Sequence, residues 1–168
     1  MQIFFSDIKS VILSQLSSAN KEIRIAVSWL TDRELFEIIL LKLRSGIKVE
    51  IITRNDYLNN HANALDWNAF IEAGGKLRFC QLGKMLHYKF AVIDSKSAIA
   101  TSYNWTCFAG INNRENIMVF NEPETIQSFL NEFEFLKTSS ISAAQRKNLK
   151  NSVFFCQKNN LRPSGQRF

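Results

Sequence analysis

The segment Met85–Asp94 (MLHYKFAVID) carries the side chains best able to do chemistry. In an extended strand, side chains two positions apart share a face, so His87 and Lys89 point the same way. An ammonium group beside an imidazole costs stability unless an anion lies between them, because like charges repel and burial disfavours both charged forms. A phosphate group is a suitable anion, and the segment therefore indicates a phosphate-binding site.

Further side chains that suit a phosphate ligand follow downstream. Ser102 and Asn104 offer a hydroxyl and an amide at positions i and i+2, which are neutral donors for non-bridging phosphate oxygens. Glu115 is a carboxylate of the kind that orients an imidazole next to a nucleophilic site. Each residue alone would be explained by turn chemistry or by a solvated strand end, so only the ordered set indicates a site.

This ordered set resembles the catalytic signature of the phospholipase D superfamily, and most closely its short nuclease branch with a single HxK(x)4D motif. The likeness covers residues 20 to 137, because the strand, helix and strand before the motif also resemble the family's layout. Thr101 departs from the pattern, since the family commonly has glycine there, and it adds a side chain near the phosphate loop. The matching positions are His87, Lys89, Asp94, Ser102, Asn104, Trp105, Glu115 and Asn116.

The resemblance implies a role for each residue and a reaction that needs no metal or other cofactor. His87 would attack phosphorus and form a phosphohistidine, and Glu115 would hydrogen-bond the imidazole to keep it nucleophilic. The phosphate oxygens would be held by Lys89, Ser102 and Asn104. Asp94 is interpreted as structural, because it lies in the turn at the far end of the strand and on its other face.

The same chemistry requires a second histidine, which protonates the leaving oxygen and later activates water. The chain has two histidines, and His61 is followed at i+2 by Asn63, so only one HxK is present. Members of the family with one motif pair two chains, so we expect a homodimer in which His87 of the second copy completes the active site. His61 is interpreted as a solvated loop residue, with a substrate-lining role as the alternative.

The chemical motif must be positioned by an α/β fold with a mixed sheet flanked by helices. Apolar spacing and capping signals predict helices over residues 6–19, 31–44, 62–73 and 122–136, with Ser6 or Asp7 capping the first and a Thr31–Glu34 capping box starting the second. Alternation predicts strands over residues 23–30, 47–52, 76–80, 87–93, 98–101 and 116–120. A strand, helix and strand joined by short turns make the sheet at least partly parallel.

The charge distribution divides the chain into a catalytic domain over residues 1–140 and a basic, polar tail over residues 141–168. The net charge of +6 lies wholly in the tail, which has six basic residues and no acidic one, so residues 1–140 carry 15 of each sign. A polyanion such as nucleic acid would be attracted to the tail, although a solvated, partly disordered end explains it equally well.

Three widely spaced cysteines and the lack of a long apolar run predict a cytoplasmic protein with reduced, mostly buried thiols. Trp105 and the phenylalanines are interpreted as core or dimer packing rather than as stacking platforms.

The sequence thus predicts a phosphodiesterase that cleaves DNA or RNA as its most favoured substrate and has no membrane partner. Two alternatives stay open. One is a phospholipase D-type enzyme acting on lipid head groups, and the other is a catalytically silent nucleic-acid-binding module that keeps the fold.

Overall fold

An eight-stranded mixed sheet forms the centre of the computed structural model, which describes residues 1–60, 64–80, 85–109 and 113–146. The strand order is β1-β7-β6-β5-β2-β3-β4-β8. Strands β2, β3 and β4 run parallel to one another, and all other neighbouring strands are antiparallel. The strands are β1 (Gln2–Phe4), β2 (Glu22–Val27), β3 (Lys48–Arg54), β4 (Lys76–Cys80), β5 (Lys89–Ile93), β6 (Ser97–Thr101), β7 (Ile117–Phe120) and β8 (Ser140–Ser142).

Helices cover both faces of the sheet. The apolar sides of α1, α2 and α4 pack on one face, and α5 packs its buried residues Ile126, Phe133 and Leu136 on the other. None of the described helices is long and apolar enough to cross a membrane. The helices are α1 (Ile8–Ser17), α2 (Arg33–Arg44), α3 (Tyr57–Asn60), α4 (Trp67–Glu72) and α5 (Pro123–Thr138).

The predicted fold class is confirmed: the sheet is mixed, helices flank it, and β2, α2 and β3 form the expected parallel unit. The predicted hairpin of β5 and β6 is also present. Trp105 is fully buried, which confirms its interpretation as a core residue. Gly46 ends α2 as expected, with a φ of +84° that favours glycine.

Two helix starts differ from the sequence prediction because an aspartate caps each helix. The Asp32 carboxylate accepts hydrogen bonds from the N–H groups of Glu34 and Leu35, so Asp32 and not Thr31 is the N-cap of α2. Asp66 caps α4 in the same way, and the helix predicted over 62–73 is therefore confined to Trp67–Glu72. At α1, Asp7 occupies the N-cap position but its side chain makes no capping bond.

Both edge strands were missed by the sequence patterns, because three residues are too few for a period of two to be recognised. The missed strands are β1, which pairs with β7, and β8, which pairs with β4. The predicted domain boundary after residue 140 falls inside β8, because the backbone of this segment continues the sheet. The segment after β8 also contacts the sheet, because the guanidinium of Arg146 lies over the ring of Phe79 at 4.4 Å. Residues 147–168 and His61 lie outside the described residues, as do the predictions about them.

Asp94 occupies the turn between β5 and β6 and binds the chain at the start of β2. Its carboxylate accepts hydrogen bonds from the backbone N–H groups of Asn20, Lys21 and Glu22 at 2.7 to 2.9 Å. Burial opposes ionisation, but these bonds and the nearby charge of Lys96 together lower the pKa of Asp94. These contacts are the ones that a structural role requires.

Replacing Asp94 with Asn should lower the free energy of unfolding by about 2 kcal/mol, because hydrogen bonds to a charged acceptor are lost. Asn tolerates the left-handed backbone, with a φ of 55°, so the substitution mainly tests the charge. The pKa of Asp94 is lowered in the folded state. The difference in unfolding free energy between wild type and variant should therefore persist at pH values above the ordinary pKa of 3.8 and disappear as the pH falls through the folded-state pKa.

Urea unfolding at neutral and acidic pH measures both effects. Asp7→Asn is the matched control, because Asp7 is also a left-handed aspartate but makes no capping bond. An Asp94→Asn protein as stable as wild type at neutral pH would refute the structural role.

Candidate active site

The site lies at the end of the sheet at which the central parallel strands β2 and β3 have their carboxyl termini. Strand β5 is antiparallel to β2 and pairs Lys89 with Val27, so the start of β5 lies beside the end of β2. Loops at the carboxyl ends of parallel strands meet at one edge, which is a common place for binding sites. Residues from five separate segments therefore converge around His87.

His87 and Lys89 lie side by side, as the sequence predicted, although His87 precedes β5 rather than belonging to it. The Lys89 Nζ atom is 3.2 Å from Nε2 of His87 and donates a hydrogen bond to the His87 carbonyl at 3.0 Å. In its ammonium form Lys89 has no lone pair, so its contact requires a lone pair on Nε2. The contact places a nitrogen of the exposed imidazole directly beside an ammonium group.

Lys89 is one of the few buried charged residues of the described chain, with 7% of its surface exposed. Burial lowers the pKa of its ammonium group, and the negative charge of Glu115 partly opposes that change. A buried cation that lacks a full counter-charge attracts anions strongly, because little water screens it. The position thus suits a phosphate oxygen.

The backbone that carries His87 and Lys89 is fixed by Ser28 at the end of β2. Both the N–H and the hydroxyl of Ser28 donate to the carbonyl of Tyr88, at 2.9 and 3.2 Å. The Ser28 carbonyl in turn accepts from Thr53 and from Asn59. Ser28, Thr53 and Asn59 are fully buried. Their hydrogen-bond network therefore supports the backbone of His87 and Lys89 from the protein interior.

Glu115 lies near the motif, but the hydrogen bond predicted between Glu115 and His87 is not formed among the described residues. The Glu115 carboxylate accepts instead from the hydroxyl of Ser102 and from the Asn113 side chain. Ser102 lies close to Glu115 because the pairing of β6 with β7 brings the residue after β6 and the segment before β7 together. The Asn116 N–H also donates to the Ser102 hydroxyl at 3.0 Å. Glu115 therefore contacts a predicted phosphate-binding residue rather than the imidazole.

Asn104 and Thr101 are the remaining residues that the sequence singled out. The Oδ1 atom of Asn104 is buried and has no hydrogen-bond partner in the described part of the chain, which is uncommon outside functional sites. The Thr101 hydroxyl donates to the Asn116 carbonyl at 2.6 Å and accepts from the Tyr103 N–H. Thr101 thus fixes the loop that carries Ser102, where the family commonly has glycine.

A cation and an aromatic ring that sequence analysis missed form one side of the site. Trp29 lies with its ring centroid 6.2 Å from that of His87, and the guanidinium of Arg54 lies over the indole at 5.0 Å. Asp56 forms an ion pair with Arg54 and accepts from the indole N–H. The signal was available, since Trp29 follows β2 and Arg54 ends β3, but Trp29 was interpreted only as the end of a strand and Arg54 as part of a polar loop.

Within the described ranges, no group of three or more His, Cys, Asp or Glu side chains is arranged to hold a metal ion. Cys80 is half-buried and Cys107 is exposed, and both are free thiols. The expectation of mostly buried cysteines is thus wrong for Cys107, which lies in the exposed loop after Trp105.

Comparisons with known proteins agree with this geometry. The profile of a family described as "Cardiolipin synthase, PLD-like domain" matches residues 12–137. The mitochondrial cardiolipin hydrolase of Chlamydomonas reinhardtii is 33% identical over 127 residues, which cover 76% of this chain and 56% of that protein. The chain spans about half the length of the curated relatives that it matches.

Two solved structures share the fold. Nuc from Salmonella typhimurium, a phospholipase D family member, has a TM-score of 0.74 at 22% identity, covering 84% of this chain and 95% of Nuc. NucT from Helicobacter pylori has a TM-score of 0.75 at 23% identity, covering 84% and 97%. The mixed sheet, the motif at its edge and the profile match together show that the chain belongs to the phospholipase D superfamily.

Replacing Lys89 with Met should raise the free energy of unfolding at neutral pH by about 1 kcal/mol, or about 2–4 °C in Tm, because it removes a buried charge of lowered pKa. The unfolded chain binds more protons than the folded one between the lowered folded-state pKa and the ordinary 10.5, so the wild type gains stability as the pH rises through that window. The difference in unfolding free energy between the Lys89→Met protein and wild type should therefore shrink as the pH rises through that window.

Thermal unfolding of the two proteins across neutral and alkaline pH tests this prediction. Lys96→Met is the matched control, because Lys96 is exposed in the turn after β5 and its replacement should change stability by less than about 0.5 kcal/mol. A Lys89→Met protein that melts below wild type at neutral pH would contradict the expected stabilisation.

Proposed function

We propose that the protein is a metal-independent phosphodiesterase, specifically a nuclease, that forms a phosphohistidine on His87. The observation that carries the proposal is the contact of the exposed His87 imidazole with the buried Lys89 ammonium. It provides a nitrogen nucleophile and a cation for the phosphate oxygens in one place, which is what phosphoryl transfer without a metal requires.

The reaction would proceed in two displacements at phosphorus. In the first, the unprotonated nitrogen of His87 forms a P–N bond while the P–O bond to the leaving group breaks and the leaving oxygen takes a proton from a general acid. In the second, the conjugate base of that acid takes a proton from a water molecule, whose oxygen forms a new P–O bond as the P–N bond breaks, which returns His87 and the acid to their starting states. Lys89 and the neutral donors of Ser102 and Asn104 would stabilise the charge on the non-bridging oxygens.

Glu115 would have a second role that its contacts indicate. Its carboxylate holds the Ser102 hydroxyl, and a phosphate would compete for that hydroxyl. When Ser102 turns to the phosphate, the released carboxylate is available to the imidazole of His87, as the resemblance implies. Asp94 remains a structural residue in this proposal.

The general acid would come from His87 of a second copy, so the active unit is proposed to be a homodimer. Two exposed phenylalanines near Glu115 support this arrangement. Phe5 and Phe108 are 77% and 80% exposed. Phe5 lines a cleft of about 430 Å³ together with Cys107 and Glu115, and Phe108 follows Cys107 in the chain.

Nucleic acid is the proposed substrate because the charge excess of the chain lies in the basic segment from residue 141 onward, and polyanions bind through such charge. DNA and RNA stay open, and so does the predicted cytoplasmic location. The second candidate is a lipid phosphodiester, which the names of the cardiolipin hydrolase relatives favour. Those names concern proteins of which this chain spans about half.

His87→Ala should abolish cleavage, with a loss of at least about a thousandfold, because the nucleophile is removed. Purified protein is incubated with labelled single- and double-stranded DNA and RNA, and with cardiolipin-containing vesicles, all in excess EDTA. Cleavage of nucleic acid that survives chelation and requires His87 is the expected result.

Met85→Ala is the matched control, because Met85 is an exposed residue of the same segment and its loss should leave the rate within about twofold. Alkaline quenching during turnover should also trap labelled protein as a base-stable phosphohistidine, which acid then releases and which is absent in His87→Ala. Cleavage of vesicles alone would favour the lipid candidate, and equal cleavage by the His87→Ala protein would exclude the histidine mechanism.

Phe108→Asp should shift the protein toward monomers and lower the activity per chain by at least about tenfold, because a charge replaces an apolar contact beside the shared site. Sedimentation equilibrium and activity assays on the same samples measure the two effects. Phe135→Asp is the matched control, since Phe135 is 64% exposed but belongs to α5. A fully active monomer would remove the need for a second copy.

A further inference from the structure

We propose that Arg54, held between Trp29 and Asp56, is a second phosphate-binding residue that takes the phosphate next to the scissile one in a nucleic-acid strand. This inference rests on the proposed function and deepens it, because it assigns the feature of the substrate that the site recognises beyond the reacting bond. It makes Arg54 a specificity-determining residue and not a catalytic one.

A single carboxylate oxygen fixes both the cation and the ring. The Oδ2 atom of Asp56 is 2.9 Å from Nε of Arg54 and accepts a hydrogen bond from the indole N–H of Trp29 at 2.8 Å. The guanidinium carbon lies 5.0 Å from the indole centroid, within the range of a cation–π contact. The guanidinium is therefore clamped on two sides before any ligand binds, which lowers the entropy cost of binding.

Asp56 is itself anchored to the buried network below the catalytic motif. Its Oδ1 atom accepts from the backbone N–H and the side-chain amide of Asn59, at 3.2 and 3.3 Å. Asn59 is fully buried and also donates to the Ser28 carbonyl, and Ser28 holds the backbone of Tyr88. The position of Arg54 is thus coupled to the position of His87 through a short chain of hydrogen bonds.

The clamp leaves the binding end of the guanidinium available. The ion pair with Asp56 uses Nε, and no acceptor in the described part of the chain takes a hydrogen bond from either terminal nitrogen of Arg54. Those two nitrogens form the fork that binds a phosphate through two hydrogen bonds. About 24% of the Arg54 side chain is exposed, so the side chain is partly accessible to a ligand.

The distance from Arg54 to His87 suits neighbouring phosphates of one strand. The guanidinium carbon is 5.0 Å from the indole centroid and that centroid is 6.2 Å from the imidazole centroid, so at most about 11 Å separates the cation from the nucleophile. Successive phosphates of a strand are joined through a single sugar and rise by only about 3.4 Å along a duplex axis, so an upper limit of about 11 Å is compatible with an adjacent phosphate. A substrate with one phosphodiester cannot use both positions.

Arg78 provides a matched comparison within the same sheet. Its Nε atom forms an ion pair with Glu50 at 3.1 Å, and its side chain is 30% exposed, so its environment is close to that of Arg54. It differs in that it lies on β4, in a cleft formed with α4 and β8 rather than beside His87. Replacing Arg78 therefore removes a similar ion pair without touching the proposed phosphate site.

The first experiment compares Arg54→Ala, Arg54→Lys and Arg78→Ala on a short labelled oligonucleotide and on bis(p-nitrophenyl) phosphate, which has a single phosphodiester. Arg54→Ala should raise KM for the oligonucleotide about tenfold, and its loss of kcat/KM should be at least fivefold larger for the oligonucleotide than for the small diester. Arg54→Lys should recover part of the loss, because a lysine keeps the charge but not the fork. Equal losses on both substrates, or the same pattern in Arg78→Ala, would overturn the proposal.

The second experiment measures oligonucleotide binding in a His87→Ala background, where no turnover occurs. The slope of log Kobs against log salt concentration should fall in magnitude by about 0.7–0.9 when Arg54 is replaced by Ala, since one phosphate contact is lost. A merely structural role would leave this slope unchanged, which would reject the assignment.

The two experiments separate this inference from the proposed function. If wild type cleaves neither the oligonucleotide nor the small diester, the phosphodiesterase proposal fails, while the salt slope still decides whether Arg54 binds a phosphate. If wild type hydrolyses cardiolipin-containing vesicles and binds no oligonucleotide, the nucleic-acid assignment of Arg54 is overturned.

Discussion

A buried ammonium group next to an imidazole is the constraint on which the site depends. Lys89 lies at the start of β5, near the middle of the sheet, where burial lowers its pKa and only the more distant charge of Glu115 compensates. A methionine would fill the same space without this penalty, so the lysine is retained at a cost in stability. The same lack of compensation is the physical basis of the phosphate-binding role that we propose for Lys89.

The fold keeps this unfavourable pair in place through backbone contacts rather than through side-chain pairing. Ser28 binds the Tyr88 carbonyl with two donors, and Asp94 closes the other end of β5 with three acceptor contacts to the start of β2. Strand β5 is therefore held to β2 at both ends. The Ser28 carbonyl also accepts a hydrogen bond from Asn59, so the loop after β3 belongs to the same hydrogen-bond network. This arrangement brings Trp29 and Arg54 beside His87. Rigid support below a reactive pair is what preorganises a site.

The sequence predicted the central strands, both long helices on the sheet and the pairing of His87 with Lys89, because these follow from periodicity over five or more residues. It failed for β1 and β8, which have three residues each and are defined by their partners β7 and β4. It also failed for the contact of Glu115, since the choice between Ser102 and His87 is a matter of a few ångströms in tertiary structure. The environment of Arg54 was missed for the same reason: Asp56 is near in sequence, but Trp29 reaches it only through the parallel pairing of β2 with β3.

One chain holds the parts of a phosphate site in unequal completeness. The proposed nucleophile, cation and neutral donors are all present, and in our proposal Arg54 extends the site to a neighbouring phosphate. The described residues include no second imidazole that could be the general acid. The Glu115 carboxylate accepts a hydrogen bond from the Ser102 hydroxyl. A carboxylate that only accepts hydrogen bonds has no proton to give to a leaving alkoxide, whereas an imidazolium has one. The chemistry of proton transfer, and not the apolar area of Phe5 and Phe108, is therefore the stronger argument that two copies share one active site.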